Sequence, residues 1–149
     1  MDYSIPCEHP DAGEILAEHH RALGDDPVCG VYIIHFDDTL GEQAGDFQEN
    51  GFLGTGHAKH YIGSSKDILA RLVDHLQGKS GHLVRKNGRV SYKHGGARIL
   101  NVCNHRGIRY HIAKIIVCAT EKQARAEEAR LKGSSKYARL CPHCNGKGE

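Results

Sequence analysis

A nine-residue stretch, Val28-Cys29-Gly30-Val31-Tyr32-Ile33-Ile34-His35-Phe36, does most to limit what this chain can become. Its β-branched and aromatic residues predict a buried strand over 28–36. Residues 109–119 return to a strand pattern, with His111, Ala113 and Ile115 alternating against Ile112, Lys114 and Ile116. Tyr61-Ile62-Gly63 reads as a third, shorter strand. At 149 residues and 39% hydrophobic content the chain can bury one core. The expected fold class is therefore α/β (α+β), a small three-stranded mixed or antiparallel sheet flanked by helices.

Helix signals surround these strands. Asp11 opens a helix to Leu23, with Glu14 at capping-box spacing and Gly24 as the stop. A second helix is expected over 66–77, capped by Ser64-Ser65, with Ile68, Leu69, Leu72, Val73 and Leu76 as the buried stripe and Gly78 as its end. Arg71 and His75 are four apart on it and share a face. A third runs over 120–132, where Thr120 and Gln123 have capping-box spacing, until Gly133-Ser134-Ser135 breaks it. Residues 37–56, rich in Gly and acids, predict an exposed loop or hairpin. Residues 78–106, rich in Gly, Asn and bases, predict a loop-rich insert with short strands near 90–92 and 98–102.

The net charge of +2 conceals a strong polarity along the chain. Residues 1–56 hold twelve acids and one base, Arg21, whereas residues 75–120 hold nine Lys or Arg and no acid. The second region carries Lys79, Arg85, Lys86, Arg89, Lys93, Arg98, Arg106, Arg109 and Lys114, interleaved with His and Tyr. Such a stretch attracts a polyanion, and DNA is the expected partner, with Arg85, Lys86, Arg89, Lys93, Arg98, Arg106 and Arg109 as its contacts. Affinity should then fall as salt rises. No stretch approaches the ~20 apolar residues of a membrane span, and the first residues lack the basic and apolar parts of a secretion signal. An intracellular, cytoplasmic protein is expected, with its six Cys reduced, and Cys29 and Cys118, in apolar runs, as core.

Gly30-Val31-Tyr32 and Tyr61-Ile62-Gly63, followed in order by Arg71, His75 and Glu128, resemble the GIY-YIG nuclease family over roughly residues 29–132. The first motif carries Val where the family has Ile, and residues 37–56 are a long insertion relative to the family's compact pattern. The resemblance implies an endonuclease that hydrolyses phosphodiester bonds with Mg²⁺ or Mn²⁺. Tyr32 would be general base or water-orienting group, which requires a depressed phenol pKa. Tyr61 would position water or phosphate, Arg71 would clamp the charge that develops on the phosphoryl group, and His75 would pass a proton or bind phosphate. Glu128, within Glu128-Ala129-Arg130-Leu131-Lys132, would hold the metal; Glu127 fits the family pattern less well. Asn145 is the nearest match to the family's distal Asn.

Cys141-Pro142-His143-Cys144 is a second constellation. Cys-x-x-Cys supplies half of a tetrahedral zinc site, so Cys141 and Cys144 are candidate Zn²⁺ ligands, completed by Cys7 with His9 or by Cys103 with His105; the alternative is a redox or purely structural pair of thiols. The chain then divides into an acidic extension with a helix (1–27), a nuclease-like domain (28–132) and a Cys-x-x-Cys tail (133–149). The resemblance accommodates a phage or mobile-element nuclease, a restriction enzyme or a repair nuclease, as monomer or homodimer. The rival reading is a non-catalytic, zinc-containing nucleic-acid-binding module. A third is an interaction protein whose acidic first segment covers the basic face.

Overall fold

The computed structural model describes residues 7–38, 59–78, 82–86, 89–93, 98–134 and 140–142. In chain order it comprises α1 (Ala12–Leu23), β1 (Gly30–Phe36), β2 (His60–Ser65), α2 (Ile68–Leu76), β3 (His82–Lys86), β4 (Arg89–Lys93), α3 (Arg98–Arg106), β5 (Tyr110–Val117) and α4 (Glu121–Ser134). The apolar run around Tyr32 becomes the central strand of an antiparallel sheet ordered β2-β1-β5. Strand alternation sends successive β1 side chains to opposite faces. Tyr32, Ile34 and Phe36 join Ile15, Ile68, Leu72, Leu76, Ile99, Leu100 and Tyr110 in one cluster, so α1, α2 and α3 cover that side. Val31 and Ile33 meet Ile62, Ala124 and Leu131, so α4 covers the other. The mixed α+β expectation holds, and the sheet is wholly antiparallel.

Two glycines of β1 and β2 are dictated by contact rather than by backbone conformation. A Cβ on Gly30 would lie 2.0 Å from the carbonyl oxygen of Ile116 on β5, and one on Gly63 would lie 2.5 Å from the phenol oxygen of Tyr32. Tyr32 and Gly63 are partners across the β1–β2 ladder. The glycine leaves the gap over which the tyrosine lies.

Three local expectations are corrected. Residues 98–102 are the start of helix α3, not a strand. Ile99, Leu100, Val102 and Cys103 are all buried, a spacing of helical period, and the intervening Asn101 is 3% exposed as well. A helix buried on several sides loses its amphipathic signature, and a five-residue window cannot separate it from a strand. The simple alternation along 109–119 fails because the β1–β5 register shifts between Ile33 and Ile34, which pair with Lys114 and Ile112. The bulge leaves Ala113 unmatched, so Ile112 and Ile115 face one core cluster while Ala113 and Ile116 face the other. The capping box at Asp11 is not formed: Asp11 makes no side-chain cap hydrogen bond. Arg109 takes both carboxylates instead, with its Nε 3.1 Å from Asp11 and its Nη2 on Glu14.

Most other signals act as the sequence predicts; the Ser64-Ser65 cap of α2 and the core placing of Cys29 do not. Gly24 and Gly78 end α1 and α2 at positive φ, +79° and +70°. Gln123 N–H donates to Thr120 Oγ1 at 3.1 Å, and Gln123 Oε1 accepts from Ala119 N–H at 3.1 Å, starting α4. The cap of α2 is Asp67, whose side chain accepts from Ala70 N–H at 3.2 Å, because β2 continues through Ser64 and Ser65. The expected strand at 90–92 is part of β4, which pairs with β3 in a separate two-stranded ribbon. Cys29 is half-buried and outside the core clusters, whereas Cys118, half-buried too, packs against the cluster of Val31 and Ile33; the two flank the β1–β5 ladder, Cys118 N–H donating to Cys29 O at 2.9 Å. Most of the 37–56 segment lies outside the described residues. Among the described residues, no helix is long and apolar enough to cross a membrane.

The two glycine contacts differ in how they can relax. Gly30→Ala must displace backbone, whereas Gly63→Ala displaces a side chain, and overpacking of this kind costs about 1–3 kcal/mol. Both variants are expected to melt below the wild type, Gly30→Ala the lower of the two, in a calorimetric scan. Gly63→Ala should also alter the near-ultraviolet signal of Tyr32, whereas an unchanged melting temperature in Gly30→Ala would contradict the contact.

Candidate active site

β1 delivers Tyr32, β2 delivers Tyr61, α2 delivers Arg71 and His75, and α4 delivers Glu128. The phenol oxygen of Tyr32 is where they meet. It lies 3.1 Å from His75 Nε2, and it shares hydrogen bonds with Arg71 and with the Tyr61 hydroxyl. The rings of Tyr32, Tyr61 and His75 form a triangle with centroids 6.3, 6.4 and 5.9 Å apart. The charge of Glu128 is felt at both phenols. The i, i+4 spacing on α2 thus brings Arg71 and His75 to the same tyrosine.

Glu128 is anchored from two sides. Its Oε1 accepts from Ser64 Oγ at 2.5 Å, and its Oε2 lies 2.8 Å from Lys132 Nζ. Its side chain is 19% exposed, against 54% for Lys132. Glu127 is turned away into a two-pronged pair with Arg130, both contacts at 2.7 Å. The roughly 100° between neighbours on a helix separates the two carboxylates into different surroundings. Ser64, expected only as a helix cap, instead extends the tyrosine strand by one residue and reaches the acid.

Electrostatics here are governed by burial. The Tyr32 phenol is held well above its ordinary pKa, first by burial, then by Tyr61 and Glu128, against the downward pull of Arg71. Tyr61 is pushed up to about 12 by burial and Glu128, with Arg71 opposing. The depressed phenol expected for a base is therefore absent from the protein alone, because loss of hydration outweighs one guanidinium. Burial, Arg71 and His19 together push His75 down to about 3. A neutral imidazole has one donor and one acceptor nitrogen, so the tautomer of His75 sets the direction of its bond with the Tyr32 hydroxyl, while Arg71, which can only donate, donates to the Tyr32 oxygen. His75 and Tyr32 are each 1% exposed, so both lie beneath the surface of the site.

Behind His75 lies a polar pocket of the core that the sequence did not flag. Asn104 Nδ2 donates to His75 O and to Cys7 O, each at 2.8 Å, lacing α3 to α2 and to the N-terminal segment. His19 is fully buried beside Tyr110, ring centroids 6.1 Å apart, and burial pushes it down to about 4. The unpaired buried atoms among the described residues are both His19 nitrogens, His75 Nδ1, Asn104 Oδ1 and Tyr110 Oη. Helical spacing from Ile15 to His19 on α1 was the available signal for His19.

The basic residues divide. Arg109 is held by Asp11 and Glu14 and is half-exposed. Arg106 ends α3 and is exposed. The backbone places Arg85, Lys86, Arg89 and Lys93 on the β3–β4 ribbon and Arg98 at the start of α3; their side chains lie outside the described residues. Cys144 and Asn145 also lie outside them.

Among the described residues, no metal-ligand cluster joins Cys141 to Cys7 with His9 or to Cys103 with His105. His9 has both ring nitrogens engaged, Nε2 with Ile108 O at 2.7 Å and Nδ1 accepting from Asp11 N–H at 2.9 Å. Cys103 is a fully buried member of the core, and burial holds its thiol far above the ordinary range. Cys141 lies instead beside two histidines of the sheet, His35 and His60. Counting three positions outward from the Tyr32–Gly63 pair would have found them opposite one another.

The buried histidines set an acid limit. For a group whose folded pKa is lowered, stability is complete above the unfolded value of ~6.5 and is lost as pH falls toward the folded value, by about 1.4 kcal/mol for each tenfold difference in proton affinity between the folded and unfolded states. With His19 about 4 and His75 about 3, stability should fall by several kcal/mol between pH 6.5 and 4. His111 works in the opposite sense: burial lowers it, but Glu18 and Asp37 raise it on balance, so its contribution weakens as pH rises. Urea titrations should show the midpoint dropping on acidification, with less of a drop in His19→Phe than in wild type. An equal drop in both would remove His19 from the account.

No protein-family model matches this chain, and neither a curated protein nor a solved structure is significantly similar to it.

Proposed function

We propose that the chain is a metal-dependent DNA endonuclease that hydrolyses phosphodiester bonds at a GIY-YIG-type site. The observation that carries this reading is the convergence of Tyr61, Arg71, His75 and the Glu128 charge on the Tyr32 phenol, from three separate elements. The glycines of both tripeptides support it, because each is required by a contact that places one of those elements.

Glu128 suits a hard divalent cation such as Mg²⁺ or Mn²⁺, which takes one or two carboxylates and keeps several waters. One of its oxygens meets Ser64 and the other Lys132, and each has a further lone pair to offer. When bound, such a cation would polarise a phosphate oxygen and add the positive charge that favours a phenolate nearby. Arg71, always protonated, would meet the phosphoryl oxygens as negative charge grows on them. Its hydrogen bond to Tyr32 ties the clamp to the group that orients the water. His75 holds the Tyr32 hydroxyl by the 3.1 Å bond to its Nε2, a positioning role. Tyr61 fills the remaining side of the same oxygen. Because the phenol titrates high, the hydrolysis rate should climb with pH through the neutral range.

DNA would meet Arg106 and the β3–β4 ribbon, whose sequence carries Arg85, Lys86, Arg89 and Lys93. Arg109, paired with α1, is reserved for the fold rather than for phosphate. The pairing also gives the acidic first segment a structural role, with Ile15 of α1 in the core. Deleting residues before Val28 would therefore unfold the protein rather than uncover a binding face.

Supercoiled plasmid incubated with the protein and Mg²⁺ should be nicked, and chelator should abolish nicking. Arg71→Ala and Glu128→Ala should each lose at least about a hundredfold in rate, and Tyr32→Phe a similar amount. Binding to the same DNA, measured by anisotropy, should survive Glu128→Ala and weaken with salt. Salt-sensitive binding with no cleavage of plasmid or of branched DNA would favour the non-catalytic binding module.

A further inference from the structure

His35 on β1 and His60 on β2 are register partners, and their rings lie 5.3 Å apart at 62°. His35 Nδ1 is 3.4 Å from His60 Nε2 and 3.5 Å from Cys141 Sγ, and all three donor atoms lie within 4.8 Å of one another. Cys141 is fully buried although it belongs to the segment after α4, and both histidines are half-buried.

The nitrogen–nitrogen distance matches a metal centre better than a hydrogen bond, and the nitrogen–sulfur distance fits either. Zinc ligands at ~2.1 Å for nitrogen and ~2.3 Å for sulfur, at tetrahedral angles, stand roughly 3.4 Å apart for two nitrogens and roughly 3.6 Å apart for nitrogen and thiolate. The observed pair, 3.4 and 3.5 Å, falls close to both values. A nitrogen–nitrogen hydrogen bond would sit nearer ~3.0 Å. A single imidazole nitrogen also has either one lone pair or one hydrogen, so His35 Nδ1 cannot make full hydrogen bonds to both neighbours. A cation among the three takes one lone pair from each.

We propose that His35, His60 and Cys141 bind a zinc ion that pins the C-terminal segment to the sheet. The two imidazoles and one thiolate favour a borderline-soft ion over Mg²⁺, which takes oxygen donors. Three protein donors leave one tetrahedral position; Cys144, the next cysteine in sequence, lies outside the described residues. The role is structural. The ion joins the end of β1 to the start of β2 and both to the chain after α4. The site uses none of the five residues assigned to hydrolysis, so it stands or falls separately from the nuclease reading.

Full-length protein purified without chelator should contain one zinc per chain by elemental analysis. His60→Ala and Cys141→Ser should lose it at least tenfold, and Cys7→Ser should keep it. Removing the zinc from wild type should lower the melting temperature by on the order of 5 °C. Co²⁺ added to metal-free wild type should give strong visible bands of tetrahedral cobalt with a thiolate-to-cobalt charge-transfer band. That spectrum needs no variant to fold. A hydrogen-bonded cluster alone would show no stoichiometric zinc and no charge-transfer band, and zinc fully retained in both folded variants would place it elsewhere; either result overturns the proposal.

Discussion

The Tyr32 phenol over the Cα of Gly63 is the contact on which the rest of the centre depends. It fixes the register of β1 against β2, and a slip of one residue would send Tyr32 to the α4 face and Val31 or Ile33 into its place. In this protein, sheet register and site geometry are one constraint. Gly30 performs the matching service on the other edge, where the Ile116 carbonyl leaves no room for a side chain. The central strand is thus located from both sides by glycines that no other residue can replace without movement.

Around that contact the core is more polar than stability alone would select. His75, His19, Tyr110 and Asn104 are all buried, and each has an unpaired atom among the described residues. A buried polar atom left unmet costs about 1–3 kcal/mol. Apolar replacements of similar shape would remove those costs, so the groups are retained against the interest of packing. Of these groups, His75 lies against the Tyr32 hydroxyl at 3.1 Å, and Asn104 holds the His75 carbonyl.

Much of the fold was legible because its signals are local. The β1 run, the glycines that stop α1 and α2 and the Thr120–Gln123 cap each act within one turn or strand. The misread pieces were decided by distant partners. Asp11 and Glu14 cannot cap α1 because Arg109, far along the chain, claims them. α3 looked like a strand because α1, α2 and the N-terminal segment bury its flanks. The five residues of the candidate site stand out by their order along the chain, but the state of Tyr32 does not, since a phenol pKa follows from three-dimensional burial. His35 and His60 were hidden for the same reason: their proximity is a property of pairing, and no local spacing announces it.

The backbone bond from Phe36 N–H to Lys59 O, 2.8 Å long, closes the sheet immediately before the chain leaves for residues 39–58. Whatever that excursion does, its two ends are held at a fixed separation by β1 and β2. Lengthening a connection between fixed ends is thermodynamically mild, about 0.6 kcal/mol for each doubling. The stretch is thus a position where evolution or an engineer can exchange one length or sequence for another while the tyrosines behind it stay in register.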